Sequence, residues 1–337
     1  MDPSARGDQP VDRRLPQGRQ ARRHLPPMPR QRIAERQGSL GGEQRVVASQ
    51  VLEIVDAHHH FWDPERNYHP WLRDEPQIPF RYGDYKALCR RYLHEQYLAD
   101  TRDYKVVGSV YVETEWDPTD PIGEMAYVAE LRESGLPSVA VGQAWLDRAD
   151  WGEVLERLTG FDFVRSVRHK PRPGDMKTAT RWRRGFAKLA RRLGRFDLQT
   201  PWIYLGDAAD LAREFRSVRI FLNHTGLPVD RSPDELVGWR RAMARLAQEP
   251  NVVVKISGLG IPGVGWTAAD NRGIVLTTID LFGVDRCMFA SNFPVDGLCA
   301  DFGAVYRGFE KIVRDFSAEE RRALFVDNAR RLYAIPA

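Results

Sequence analysis

The sequence predicts an α/β protein whose main part is a single (β/α)8 TIM barrel, and three observations support this fold class. Eight short apolar runs recur from residue 51 onward. Longer stretches with helical periodicity separate them, as in repeated βα units. Polar residues follow most of the runs, at the strand ends where a barrel carries its active groups.

The eight runs are predicted to be parallel strands because most are rich in β-branched residues and nearly continuous in apolar character. Strands that are buried on both faces have this composition. Eight βα units also fit into the roughly 285 residues that contain the runs. The runs span residues 51–59, 105–114, 138–146, 161–169, 196–200, 218–226, 252–260 and 286–294.

Three of the stretches between and after the runs carry helix start and stop signals. Residues 120–135 open with Asp-Pro and close with Gly, and residues 232–250 place Ser at the cap with Pro directly after it. Residues 317–335 open with Ser317 and have Glu320 three residues on, which is a capping-box pattern. These signals predict a helix in each stretch.

The first two runs are separated by a long aromatic and charged segment, residues 63–104, which is predicted to be an excursion over the barrel mouth. The alternative architecture is an open, doubly wound sheet. That fold would favour a Gly-rich phosphate loop after the first strand. The chain has three consecutive histidines there, His58 to His60, so the barrel is the better interpretation.

Residues 1–48 differ in composition from the rest and are predicted to be a disordered tail, with the barrel domain at 49–337. The tail holds ten arginines and five acids, which gives it a charge of +5. Because the net charge of the whole chain is +4, the remaining residues carry −1. It is rich in Pro, Gln and Gly without a hydrophobic period. A transit peptide and an overlong start of the reading frame are the alternatives.

Composition limits the classes of function. A near-neutral body does not indicate a nucleic-acid surface, and an arginine tail without interleaved aromatics is a weak signal for DNA. No apolar run approaches the roughly 18 residues that span a bilayer. Three widely spaced cysteines suggest reduced thiols and a cytoplasmic protein. A small-molecule substrate is therefore expected, without nucleic-acid or membrane partners, and the sequence allows a homo-oligomer.

The polar residues at the ends of the runs predict one shared site. Any one of them could be a satisfied structural group, but together at one rim they indicate a binding or catalytic centre. They include His58, His59, His60, Glu113, Glu115, Arg168, Lys170, Gln199, Asn223, His224, Lys255, Ser257, Ser291, Asn292 and, after a turn, Asp296.

His58 and His60 are predicted to share one face of the first strand, because side chains alternate across a strand. They would lie about 7 Å apart along it, at ~3.3 Å per residue. Two such imidazoles can converge on one metal ion or one anionic group. A hydrogen-bonded support for the fold is the structural alternative.

Arg165, Arg168 and Lys170 form a basic set at the end of the fourth run. Arg165 and Arg168 are three residues apart, so at most one of them points inward on a regular strand. An inward arginine would bind a substrate carboxylate in a fork. A salt bridge to helix acids is the structural alternative.

Trp62, Trp71 and Tyr82 in the excursion could form an apolar or ring-stacking lid over the site. Ordinary packing is the alternative for each, and it is preferred for Trp71.

The motifs together resemble the amidohydrolase-2 branch of the amidohydrolase superfamily, over about residues 50–335. They read "VDAHHHFWDP", "YHPWL", "VYVETEWDP", "FDLQT", "IFLNHTGLP", "VVKISGLG", "MFASNFPVD" and "LFVDNARRLY". The resemblance is greatest to the group of L-fuconolactonase, L-rhamnonolactonase and 2-pyrone-4,6-dicarboxylate lactonase. It implies a distorted (β/α)8 barrel and a lactone-opening hydrolase of a metal-dependent superfamily.

The resemblance assigns His58 and His60 to the first-strand His-x-His motif and His224 to a sixth-strand histidine over the substrate. It also reveals two departures. The fifth strand carries Gln199 where many relatives have a metal-binding histidine, and the eighth carries Asn292 where the family has a catalytic aspartate. Two imidazoles and two neutral amides would hold a dication weakly. We therefore expect no obligatory metal, or one weakly bound Zn or Mn ion on His58 and His60.

Asn292 cannot be a general base, because an amide does not accept a proton near neutrality. His224 is the first choice for activating water, since imidazole exchanges protons near neutral pH. Asp296, Glu113 and the histidine pair are the alternatives. Asp296 could instead cap the following helix, and this is the preferred interpretation.

The expected reaction opens a lactone or related cyclic ester of an anionic or sugar-derived substrate. The carbonyl docks on His58 and His60, and Asn292 completes the set of catalytic positions. Substrate contacts are expected from Arg168, Gln199, Glu113, Trp62, Lys170 and Asp296. A decarboxylase, dehydratase or cyclase on the same scaffold is the alternative, and a non-catalytic binding barrel is a third hypothesis.

Overall fold

A computed structural model describes residues 51–336, and in it each of the eight predicted runs overlaps one strand. The strands form one parallel sheet in chain order, from β1 to β8. This confirms the predicted (β/α)8 barrel. The strands are β1 (Glu53–His59), β2 (Lys105–Val112), β3 (Val139–Gln143), β4 (Val164–His169), β5 (Arg195–Leu198), β6 (Arg219–Leu222), β7 (Val252–Ile256) and β8 (Cys287–Phe289).

The barrel closes through the residues that follow β8. Asn292 N donates to His58 O at 2.8 Å, and His60 N donates to Phe293 O at 2.8 Å. The barrel is also distorted, because the pairing of β1 with β2 shifts register twice, between Ile54 and Val55 and between Asp56 and His59. The closure brings the ends of the first and eighth strands together at the mouth.

Helices separate and follow the strands, as the periodicity predicts. They are α1 (Pro70–Arg73), α2 (His94–Asp100), α3 (Gly123–Arg132), α4 (Trp151–Leu158), α5 (Thr180–Arg192), α6 (Leu205–Glu214), α7 (Pro233–Leu246), α8 (Ala268–Phe282), α9 (Phe302–Ile312), α10 (Ala318–Arg322) and α11 (Asn328–Tyr333). A π-helical turn, Ala323–Asp327, joins α10 to α11. Within residues 51–336, no helix is both long and apolar enough to span a bilayer.

The predicted helix starts are partly confirmed. Ser317 and Glu320 form the capping box at the start of α10. Ser232 occupies the cap position of α7, but its side chain makes no capping hydrogen bond. The helix expected from residue 120 begins only at Gly123, and the Asp120 side chain accepts a hydrogen bond from Gly123 N.

A buried charge pair lies inside the barrel, between β5 and β7. Lys255 Nζ is 2.7 Å from Asp197 Oδ1, and both side chains are 0% exposed. The Tyr333 hydroxyl donates to the same carboxylate at 2.8 and 3.0 Å, and Asn223 Nδ2 donates to it at 3.0 Å. Because Tyr333 belongs to α11, the last helix is tied to the barrel interior.

The excursion between β1 and β2 packs over the carboxyl end of the barrel, as predicted. It contains α1, a 3-10 turn at Lys86–Leu88, and α2. The Tyr82 hydroxyl donates to Asp296 after β8 at 2.8 Å. The predictions for the tail, residues 1–48, lie outside the described residues.

Candidate functional site

Three histidines gather at the carboxyl ends of β1 and β6. The His58 ring centroid lies 5.0 Å from that of His60 and 4.6 Å from that of His224. His59 faces the other side of β1, where its Nε2 is 3.0 Å from Ser109 Oγ. The alternation read from the sequence therefore places the first two histidines together, and β6 adds the third.

The three imidazoles are buried and are held in their neutral form. Burial, followed by the charge of Arg168, lowers the pKa of His60 to about 3. Burial and Lys255 lower the pKa of His58 well below its ordinary value. Each ring can therefore accept or donate a hydrogen bond at neutral pH without carrying a charge.

His58 is the least satisfied of these side chains. Neither of its ring nitrogens has a hydrogen-bond partner among residues 51–336, although the residue is completely buried. His60, by contrast, has its Nδ1 2.7 Å from Val112 O, which fixes the ring. A buried polar group without a partner is costly, and both ring nitrogens of His58 have hydrogen-bonding capacity to offer a ligand atom.

His224 is oriented by the strand that follows it in the barrel. Its Nδ1 lies 2.8 Å from Ser257 Oγ at the end of β7. The ring packs on Gly258, where a Cβ would come within 2.7 Å of the ring and where φ is +63°. Burial and then Arg81 lower the pKa of His224 well below its ordinary value.

Several residues at the rim have left-handed backbone conformations. Glu115 after β2, His224 and Thr225 after β6, and Asn292 after β8 have φ between 51° and 58°. Asn and His tolerate this region better than most residues, whereas a β-branched residue there is strained. Backbone strain of this kind clusters at functional sites.

Asp296 reaches back into the mouth, and the expectation that it caps the next helix is wrong. Asn292 Nδ2 donates to Asp296 Oδ1 at 2.7 Å, and the carboxylate is 1% exposed. The cap of α9 is Asp301, whose side chain accepts from Ala304 N. A 3-10 turn at Val295–Leu298 separates β8 from α9, so Asp296 comes too early to cap it.

Arg168 points inward and is occupied by its neighbours. Its Nε donates to the Glu113 carboxylate, and its Nη2 donates to Glu113 O at 2.7 Å. Its Nη1 donates to Gln199 Oε1 at 3.1 Å. Arg165 donates instead to Asp162 O, so one of the two arginines faces the barrel interior, as expected.

The other predicted contacts lie around this centre. Lys170 pairs with Glu115 further out, where the two side chains are 40% and 37% exposed. Trp62 is buried, and its ring centroid is 6.0 Å from that of His60. Trp71 packs against Trp62 and donates to Thr114 O, which agrees with the packing role. Substrate contact by these residues stays a prediction.

Arg81 is a residue of the mouth that sequence reasoning missed. Its guanidinium lies over the Tyr82 ring at 4.5 Å and is 3.8 Å from Asp296 Oδ1. The sequence signal was its position beside Tyr82, which was already expected to lie over the site. Its inward direction depends on how the excursion folds.

The four positions that the resemblance implies as metal ligands, His58, His60, Gln199 and Asn292, do not fit a tightly bound dication. Among residues 51–336, no three His, Cys, Asp or Glu side chains gather in an arrangement that could hold a metal. The Gln199 oxygen already accepts from Arg168, and the positive charges of Arg168 and Lys255 act on His58. An anionic ligand that would offset a dication is missing from this set.

A cavity of about 320 Å³ lies away from this centre, on the outside of the barrel at α4 and α5. Leu146, Arg148, Trp151, Arg181 and Lys188 are among its lining residues. No strand-end residue of the histidine cluster lines it. The convergence of buried polar groups, and not the size of this cavity, identifies the candidate site.

Known proteins are similar to this chain in sequence and in fold. The sequence model of the amidohydrolase family matches residues 55–335. The protein y4mH of Sinorhizobium fredii is 40% identical over 84% of this chain and 99% of its own. The L-fucono-1,5-lactonase of Burkholderia multivorans is 27% identical over 84% of this chain and 96% of its own.

A solved structure agrees with these relatives. A crystal structure of a Burkholderia multivorans amidohydrolase with bound zinc superposes with a TM-score of 0.69, at 27% identity, over 84% of this chain and 99% of that one. The family match covers most of the described barrel and includes every strand-end residue discussed above. The chain therefore belongs to the amidohydrolase family.

Proposed function

We propose that the protein is a hydrolase that opens a lactone or related cyclic ester of a small substrate. The observation that carries the proposal is His58, a buried imidazole with two unpartnered nitrogens between His60 and His224. A relative named as a lactonase supports the reaction class.

His58, whose two ring nitrogens have no partner among the described residues, holds the ester carbonyl in the proposed mechanism. A neutral imidazole that donates a hydrogen bond to the carbonyl oxygen stabilises the negative charge that develops there when water attacks. His60 plays a different part: because Nδ1 of its neutral ring donates to Val112 O, its Nε2 carries a lone pair and can accept a hydrogen bond from the substrate but cannot donate one to the carbonyl. The buried surroundings strengthen these hydrogen bonds relative to water.

His224 takes the proton from the attacking water. When its Nδ1 carries the proton and donates to Ser257 Oγ, Nε2 keeps the lone pair that accepts. Water adds to the carbonyl carbon, the ring C–O bond breaks, and the proton passes to the leaving alkoxide. The product is a hydroxy acid, with the same total of atoms as lactone and water.

Replacement of His224 tests this role. We expect His224→Asn to lower kcat about 10²- to 10⁴-fold on a lactone that the wild type opens, because a positioned base contributes that much. L-fucono-1,5-lactone is the first compound to assay, with a panel of γ- and δ-lactones after it. Near-full kcat in a folded variant would rule the role out.

Metal content of the purified protein, measured together with activity after chelation, tests the two roles of the histidine pair. The weak donor set predicts less than one equivalent of zinc and activity that survives chelation. One tightly held equivalent and complete loss on chelation would assign His58 and His60 to a metal instead.

A non-hydrolytic lyase is a second candidate because Asn292 stands where the family resemblance implies a catalytic aspartate. Reaction in ¹⁸O-labelled water separates the two. Hydrolysis places one labelled oxygen in the product carboxylate, whereas a decarboxylase incorporates none. An Asn292→Asp variant that gains lactonase activity would favour the lyase as the native function.

A further inference from the structure

The cation that stands at the opening of the site is Arg81. Its side chain is 20% exposed, whereas the Asp296 that faces it is 1% exposed. Within the described part of the chain its side chain makes no hydrogen bond, only the ion pair at 3.8 Å and the cation–π contact with Tyr82. A guanidinium has five N–H donors, so most of its binding capacity is unused.

The other cations near the site are already engaged. Arg168 is 5% exposed and is bonded to Glu113 and Gln199. Lys255 is fully buried against Asp197, and Lys170 pairs with Glu115 at the outer rim. An incoming anion would have to break one of these pairs to use them, and two of the pairs are buried.

Arg81 also lies next to the proposed catalytic base. A Cβ placed on Gly258 would be 2.7 Å from His224 Cγ and 2.9 Å from Arg81 Nη2. Those two atoms are therefore no farther apart than the sum of the two distances, about 5.6 Å. An anionic group held by Arg81 would sit beside the imidazole, within the span of a five- or six-membered ring.

We propose that Arg81 binds an anionic substituent of the substrate, and that the natural substrate class is lactones that carry a carboxylate, sulfonate or phosphate group. The inference rests on the proposed lactone hydrolysis. A cation–π contact with Tyr82 and the long ion pair with Asp296 position the guanidinium over the mouth without using its forked donors. Neutral lactones would lack this contact.

Matched lactones test the substrate class. A carboxylated γ- or δ-lactone and its primary amide are assayed with wild type, Arg81→Gln and Arg81→Lys. We expect Arg81→Gln to lower kcat/KM for the carboxylate, through KM, at least 10-fold more than it lowers kcat/KM for the amide, because a charge-assisted fork is lost only with the carboxylate. Arg81→Lys should fall between, since the charge remains without the fork.

A surface variant provides the control. Arg66 lies in the same excursion, is 56% exposed and pairs with Glu130, so Arg66→Gln should change neither substrate's kcat/KM. Ionic strength provides a second control with the wild-type protein. KM for the carboxylate should rise with ionic strength, because salt screens the charge of Arg81, and KM for the amide should not. Equal losses on both lactones in Arg81→Gln would overturn the inference.

Binding without turnover separates this inference from the proposed function. Titration calorimetry with a cyclic ether carboxylate, which has no bond to hydrolyse, should show binding to wild type and loss of it in Arg81→Gln. Binding together with no lactone turnover would support the anion site and refute the hydrolase. Binding unchanged in Arg81→Gln would refute the anion site even if lactones are opened.

Discussion

The Lys255–Asp197 pair inside the barrel allows a sharp test of how the interior is stabilised. Lys255→Met keeps the length of the side chain and removes the ammonium, which leaves Asp197 completely buried without its cation. Breaking a buried pair in this way costs about 3–5 kcal/mol of unfolding free energy. Because Asp197 keeps hydrogen bonds from Tyr333 and Asn223, we expect the lower end, about 3 kcal/mol.

Urea unfolding at pH 7.5 measures this loss, with a second lysine as control. Lys170 also pairs with an acid, Glu115, but both are more than a third exposed. Exposed pairs contribute about 0–1 kcal/mol. With a slope of about 3 kcal/mol per molar urea, Lys255→Met should lower the midpoint by about 1 M and Lys170→Met by at most about 0.3 M.

The reasoning fails if the two lysine variants shift the urea midpoint equally. A double variant identifies the cause of the loss. Replacing Asp197 by Asn in the Lys255→Met background removes the unpaired charge and should recover more than half of the lost free energy. If the double variant is less stable than Lys255→Met, the penalty does not come from the buried carboxylate.

Three further predictions concern stability and the mouth. Burial raises the pKa of Glu124 from 4.5 to about 7. Between these two pH values the native state keeps a proton that the unfolded state has lost. The free energy of unfolding therefore falls as pH rises through this range, by at most roughly 3 kcal/mol. Glu124→Gln should flatten that dependence in urea midpoints at pH 5 and 8; an unchanged slope would contradict it. Ser317→Ala should cost about 1 kcal/mol by removing the cap, and no change in midpoint would deny it. Gly258→Ala should displace His224 and Arg81 and lower kcat/KM at least 10-fold. A variant with the same kcat/KM as the wild type would disprove this prediction.

Local patterns in the sequence were sufficient for the barrel and for the histidine pair. Each strand lies in a nearly continuous apolar run, because both of its faces are buried. The common direction of His58 and His60 follows from the alternation of side chains along β1. These features depend on residues that are close in the sequence, so the periodicity of the sequence is enough to predict them.

Contacts between distant segments could not be foreseen in the same way. The position of Arg81 over Gly258 depends on the path of the excursion between β1 and β2. Whether Asp296 would cap a helix or reach back to Asn292 depends on the extra turn between β8 and α9. The engagement of Arg168 by Glu113 connects β4 with the end of β2 across β3, so it depends on the order and register of three strands.

The left-handed residues at the rim have a consequence for attempts to improve the protein. Each costs on the order of 1–3 kcal/mol, and Thr225 is the least suited of them to its φ of 51°. Glycine would relieve that cost at Glu115, His224, Thr225 and Asn292. A library selected for heat resistance alone would therefore accumulate changes at these four positions. Such a selection would raise thermal stability by removing side chains from the barrel mouth, so turnover should be measured in every round.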